Sequence, residues 1–144
     1  MKIRNVLFLG LITILFASVS YGQNVVIINP NLQATEVSSS DLSNIYLGKS
    51  STLNGNKVSP VDQKQSSAVA QAFRSNVLKI GESDYQNRWV EKMLSGEASP
   101  PPTKASDAEV IEFVKSTSGG LGYVSASSDL SGVTVLKVDG KEQW

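Results

Sequence analysis

The residues of this chain best suited to chemistry lie in one polar stretch, Asp62-Gln63-Lys64-Gln65-Ser66-Ser67, which leads into Ala68 and Val69. Adjacent hydroxyls, a side-chain amide and a lysine are donors that can hold an oxyanion. The apolar residues that follow fall at Val69, Ala72, Phe73, Val77 and Ile80, which is helical spacing. The first turn of a helix leaves N–H groups without intrahelical partners, and such groups can receive an anion. The candidate oxyanion site is therefore Gln65, Ser66, Ser67, Ala68 and Val69, with Lys64 and Arg74 as accessory cations. The competing reading is that Ser66 is an ordinary N-cap, accepting from a backbone N–H two or three residues on. Charge favours the ligand: helix starts prefer acids, yet this first turn has none and Lys64 precedes it. Asp62 weakens that argument, since it can pair with Lys64 or repel a ligand. Arg74, two turns on, is expected on the solvated outer face.

The composition removes most catalytic machinery. Histidine and cysteine are both absent, so the commonest general base, thiolate nucleophiles and zinc–thiolate sites are excluded. No metal cluster is visible and no cofactor is expected. An enzyme would need a Ser66 or Ser67 pair with Lys64, and a lysine in an all-polar loop has little reason to be buried. The glycines at 119, 120 and 122 follow a helix rather than precede one, so they read as a helix stop and not a phosphate loop. Asp107 and Glu109 are explained by helix capping. Tyr46, Tyr123 and Trp89 sit in apolar patterns and read as core, with the tyrosine hydroxyls at its edge.

Residues 1–22 have the form of a secretory signal. Lys2 and Arg4 precede an uncharged run from 6 to 19, and small residues lead to an expected cut between Gly22 and Gln23. The run is short of the roughly 20 residues that span a bilayer. No cysteine follows it, so no lipid anchor and no membrane insertion are expected after cleavage. The remaining residues, 23–144, suit one domain. Removing Lys2 and Arg4 from thirteen basic residues leaves eleven against thirteen acidic ones, a net charge of −2, which argues against nucleic acid as a partner.

The elements that must position the site can be placed in order. Residues 25–28 are a continuous β-branched run, expected to be a strand buried on both faces. Residues 31–38 are irregular. Ser39 or Ser40 caps a helix with Leu42, Ile45 and Tyr46 on one stripe, stopped by Gly48. A turn-rich link centred on Asn54-Gly55 leads to a strand over 58–61, the polar loop over 62–67, and the helix that ends by Gly81. Ser83 to Gln86 has the form of a capping box for a helix burying Tyr85, Trp89 and Met93, with Val90 and Leu94 beside them. An extended triple proline follows, and Ser106-x-x-Glu109 caps the next helix. Strands over 121–124 and 133–138 close the chain. Strands interleaved with helices predict an α/β fold, a mixed or parallel sheet flanked by helices. Ligands in such sheets bind beyond the carboxyl ends of strands, where the polar loop lies.

Several segments together resemble the phosphate ABC-transporter substrate-binding proteins. Leu42, Ile45, Tyr46, Gly48 and Lys49 are similar to the family's L-x-x-I-F-x-G-K, and Asn54-Gly55 with Val58-Ser59-Pro60-Val61 to its W-x-x-G-x-x-I-x-P-V. Phe73, then Trp89, Gly96, Pro101 and Pro102, then residues 117–124 (T-S-G-G-L-G-Y-V) match later segments in the same order. The resemblance implies a single lobe of the type II periplasmic-binding-protein fold, exported to the periplasm, non-catalytic, and linked to ABC-type phosphate uptake. It implies phosphate or a related oxyanion as ligand and a transporter or another envelope protein as partner. Two departures are visible. Full-length members have two lobes, and where the family's binding loop carries an Arg and a Ser-Gly-Thr, the corresponding stretch here, Asp62 to Ala68, lacks the Gly and Thr, with no Arg following Val61. Binding would then rest on neutral donors and be weak. The alternative implied is an interaction module that has kept the fold and lost the ligand.

Overall fold

The computed structural model describes residues 23–144; the expected export signal lies outside the described residues. The first half of the chain forms β1 (Asn24–Ile28), β2 (Glu36–Val37), α1 (Ser39–Tyr46), β3 (Thr52–Leu53), β4 (Asn56–Lys57), β5 (Ser59–Pro60), β6 (Asp62–Gln63) and α2 (Ala68–Ala72). A π-helical turn, Phe73–Leu78, continues α2. Then come α3 (Glu82–Leu94), β7 (Thr103–Lys104), α4 (Asp107–Ser116), β8 (Gly120–Ser125) and β9 (Thr134–Val138).

The main sheet has the order β2-β9-β1-β8-β5 and is mixed. β1 is antiparallel to both β8 and β9, whereas β2 runs parallel to β9 and β5 parallel to β8. All five residues of β1 are buried, including the four of its unbroken apolar run, 25–28, as that run predicts. Val25 and Ile27 face Val110, Ile111 and Val114 of α4. Val26 and Ile28 face the larger core, with Leu42, Ile45 and Tyr46 of α1, Phe73, Tyr85 and Trp89. Each such aliphatic side chain contributes about 1.5–3 kcal/mol on burial. The fold is thus the α/β sandwich expected. β8 packs closely against α4 at Gly122, where an added Cβ would lie 2.7 Å from Val110 Cγ1 and 2.9 Å from Val61 Cγ1.

Several local expectations are corrected. Asp62 and Gln63 are not loop residues: they form β6, parallel to β7, and are 5% and 4% exposed. Ser38, not Ser39 or Ser40, caps α1 through Asp41 N. Asn54 and Gly55, both at positive φ, turn a two-stranded β3–β4 hairpin rather than a plain link. α3 starts at Glu82 behind Gly81, without the capping box expected at Ser83. Its buried stripe stops halfway: Tyr85 and Trp89 are covered, but Val90, Met93 and Leu94 are 46%, 49% and 84% exposed. The helix after the polar loop ends at Lys79, which adopts the left-handed conformation (φ 52°) two residues before Gly81. Ser106 does cap α4, accepting from Glu109 N, and Glu109 accepts in return from Ala105 N.

Candidate functional site

The polar loop and the helix behind it border a cleft of about 650 Å³ at the carboxyl end of β6. Lys64, Gln65, Ser66 and Arg74 line it, together with Asp62, Gln63, Gln71, Gln86 and Thr103. Ser67, Ala68 and Val69 do not. Ser67 is occupied locally as the N-cap of α2: its Oγ accepts from Ala70 N at 3.2 Å and donates to Gln63 Oε1 at 3.1 Å. Its own N–H donates to Lys64 O at 2.9 Å. Lys64 and Ser66 are exposed, and among the described residues neither side chain has a hydrogen-bond or ion-pair partner.

Arg74 is not on the outer face; it is 3% exposed. Its position explains why, because Ala70, Arg74, Val77 and Leu78 fall four, three and one residue apart and all turn inward. The guanidinium donates from Nη2 to Asp62 Oδ2 at 2.6 Å, and its plane lies over the Tyr85 ring, 3.7 Å from the centroid. Nε sits 3.3 Å from Glu82 Oε2 without hydrogen-bond alignment. Nη1 has no hydrogen-bond partner among the described residues. Burial is the largest influence and works against the guanidinium's charge, but Asp62, Tyr85 and Tyr123 together outweigh it and raise the pKa.

Asp62 is the centre of a closed network that sequence reasoning missed. Oδ1 accepts from Gln63 N at 2.9 Å and from the Tyr123 hydroxyl, and Oδ2 accepts from Arg74 and from the Tyr85 hydroxyl at 2.9 Å. Four donors on one carboxylate offset the cost of burying it. Tyr123 stacks on Phe73 with centroids 4.0 Å apart, which fixes its ring. The tyrosine hydroxyls lie inside the core rather than at its edge; that of Tyr46 donates to Val61 O at 2.9 Å. Burial, and next the charge of Asp62, push the pKa of Tyr85 and of Tyr123 up; burial and the neighbouring Tyr123 do the same at Tyr46. Asp107 does more than start α4, since its carboxylate accepts from Gln63 Nε2 at 2.7 Å and from Ser128 Oγ at 3.0 Å. Arg74 could have been found from the helical stripe it shares; Asp62 could not, because three of its four partners are 12 to 61 residues away.

A second groove of about 520 Å³ runs past Gly48, Pro60, Trp89 and the triple proline. Its charged residues, Lys49 and Glu97, are exposed, so it lacks a buried donor comparable to Arg74. Among the described residues no acid cluster is arranged to hold a metal ion, and no helix is long and apolar enough to cross a membrane.

Neither a family model nor a curated protein matches the sequence. Solved structures do match. The chain is similar to a phosphate ABC transporter substrate-binding protein of Clostridium perfringens with bound phosphate (17% identity, TM-score 0.67), over 83% of this chain and 46% of that one. It is similar to PstS of Borrelia burgdorferi (20% identity, TM-score 0.65), over 83% of this chain and 48% of the other. It is also similar to an ABC-type phosphate transport receptor of Vibrio cholerae (16% identity, TM-score 0.62), over 83% and 47%. The chain therefore spans less than half the length of each of these proteins, and its fold is that of a single lobe of the periplasmic-binding-protein class.

Proposed function

We propose that this protein is an exported, non-catalytic solute-binding lobe that takes a phosphate-like oxyanion in the cleft beside Lys64, Gln65 and Ser66, in the service of ABC-type phosphate uptake. The observation that carries the reading is Arg74: a buried cation with an unpartnered Nη1 lines the same cleft as an uncommitted lysine and serine. A buried donor left unmade costs about 1–3 kcal/mol, which an acceptor oxygen would relieve. The fold shared with three phosphate-transport proteins supports the ligand class, and the segment over 1–22 supports export to the periplasm. The cleft is open and Ser67 is committed to its cap, so the ligand stays wet and affinity is weak. Lys64 is solvated, which supports a binding role over a Ser–Lys catalytic one.

Calorimetric titration of the purified protein with phosphate tests this. The wild type is expected to bind in the weak range, and the double variant Lys64→Gln, Ser66→Ala to lose binding. Equal affinity in the double variant would sink the site. A second reading is favoured by Val90, Met93 and Leu94, which leave the far half of α3 apolar and uncovered. In that reading the lobe is an interaction module for another envelope protein, and no oxyanion raises its melting temperature.

A further inference from the structure

We infer that Asn54-Gly55 is a modification site, at which the Gly55 nitrogen closes on the Asn54 side chain and water then leaves aspartate or isoaspartate. The two residues form the tip of the β3–β4 hairpin, at φ 49° and 80°. Both are exposed, and a Cβ built on Gly55 would meet no atom within 4 Å, so nothing covers the tip. Among the described residues neither the Asn54 carboxamide nor the Gly55 N–H has a hydrogen-bond partner. The reaction needs only water. The Gly55 nitrogen gives up its proton and bonds to Asn54 Cγ; the Cγ–Nδ2 bond breaks and ammonia leaves, which closes a succinimide ring. Water then opens the ring at either carbonyl. Breaking the new bond restores the ordinary backbone as aspartate, and breaking the old peptide bond leaves isoaspartate.

A second turn has the same backbone and shows what selects the site. Asp139-Gly140 sits at φ 49° and 81° between Val138 and Lys141. This turn is tied down. Asp139 Oδ1 accepts from Ser39 N at 3.0 Å, and Asp139 N donates to Val37 O at 3.0 Å. Val138 and Lys141 exchange backbone bonds of 2.7 and 3.0 Å, and β9 belongs to the main sheet. β3 and β4, by contrast, pair with each other alone among the described residues. In a two-residue turn with both φ positive, the second nitrogen points away from the first side chain, so attack waits for the turn to open. A lone two-stranded hairpin is marginally stable, so the tip at Asn54 opens by a local event that the main sheet and Ser39 deny to Asp139. The ionised Asp139 carboxylate also lacks the leaving group that a carboxamide offers. Isoaspartate carries an extra backbone carbon, which unmakes the Leu53–Asn56 pairing beside a leucine buried in the larger core. Either product adds a negative charge at the tip.

The test incubates the purified protein at mildly alkaline pH and follows peptide masses and isoaspartate content with time, beside a short unfolded peptide of the sequence around Asn54. The folded protein is expected to exchange an amide for an acid at Asn54 and to leave Asp139 without isoaspartate. Asn54 still intact when the peptide is fully converted overturns the proposal. The variant Asp139→Asn places the same dipeptide in the tied turn, where its Oδ1 still accepts from Ser39 N. Conversion at position 139 is expected to run at least about tenfold slower than at Asn54 in the same molecules. Equal rates at the two turns overturn the claim that opening of the hairpin selects the site. The isoaspartate form, separated by its added charge on an anion exchanger, is expected to melt below the unmodified protein. Equal melting temperatures overturn the link between the tip and the burial of Leu53.

Discussion

Asp62 and Lys64 are two residues apart and belong to different worlds. Asp62 is buried, with four donors on its carboxylate; Lys64 is exposed, with no side-chain partner among the described residues. The boundary falls where β6 ends. Asp62 and Gln63, paired with β7, border the cleft but have their side chains tied to α4, β8 and the π-helical turn; beyond the strand, Lys64 and Ser66 line it with uncommitted side chains. Polarity alone does not tell the two apart. Backbone pairing decides which polar residues are structural and which are available to a ligand.

The sharpest way to break this contrast is Asp62→Asn. It leaves the shape and removes the charge, so Arg74 keeps only Glu82, with which it is misaligned. Breaking a buried ion pair from one side costs about 3–5 kcal/mol. Urea denaturation should show a loss of that size, whereas Lys64→Gln should move the midpoint by less than about 0.5 kcal/mol. Equal effects of the two would mean that the Asp62 network holds nothing together.

Tyr123→Phe is the next step down. It removes one donor from Asp62 Oδ1 and leaves Gln63 N in place, for an expected loss of about 1–3 kcal/mol. The same tyrosines give the protein an alkaline limit. Tyr46, Tyr85 and Tyr123 all have raised pKa values in the fold, so their neutral hydroxyls stabilise it fully below the ordinary tyrosine value of about 10. That stabilisation is lost as pH rises from there toward the folded values. Denaturation midpoints measured up the alkaline range should fall more gently in Tyr123→Phe than in wild type; parallel slopes would count against the assignment.

What could be read from the sequence follows the same boundary. β1 was legible because four apolar residues in a row need cover on both faces, and the structure provides α4 on one and α1 to α3 on the other. The order of the larger elements and the shared lobe architecture were legible for the same reason. β6 and β7 were not, since two residues cannot display a period of two. Asp62 therefore looked like the start of a loop, and its long-range partners Tyr85 and Tyr123 looked like plain core. Arg74 differs for another reason: Cβ direction suggests the outer face, but its stripe with Ala70, Val77 and Leu78 turns inward, and a guanidinium can lie there when a carboxylate waits for it. The exposed end of α3 was misjudged because apolar spacing says which residues share a face, not whether anything covers it.

The smallest effect in the series separates two neighbours that the sequence makes equivalent. Ser67 caps α2 through Ala70 N and braces Gln63, whereas Ser66 lines the cleft with an uncommitted hydroxyl. Ser67→Ala should therefore cost about 1 kcal/mol of stability, the usual value of a lost N-cap. Ser66→Ala should change stability by less than about 0.5 kcal/mol and act only on the ligand. Thermal denaturation of the two single variants side by side decides it. If Ser66→Ala is the more destabilising, the cap lies one residue earlier, the hydroxyl at 66 is structural, and the cleft loses the donor that makes its rim more than solvated surface.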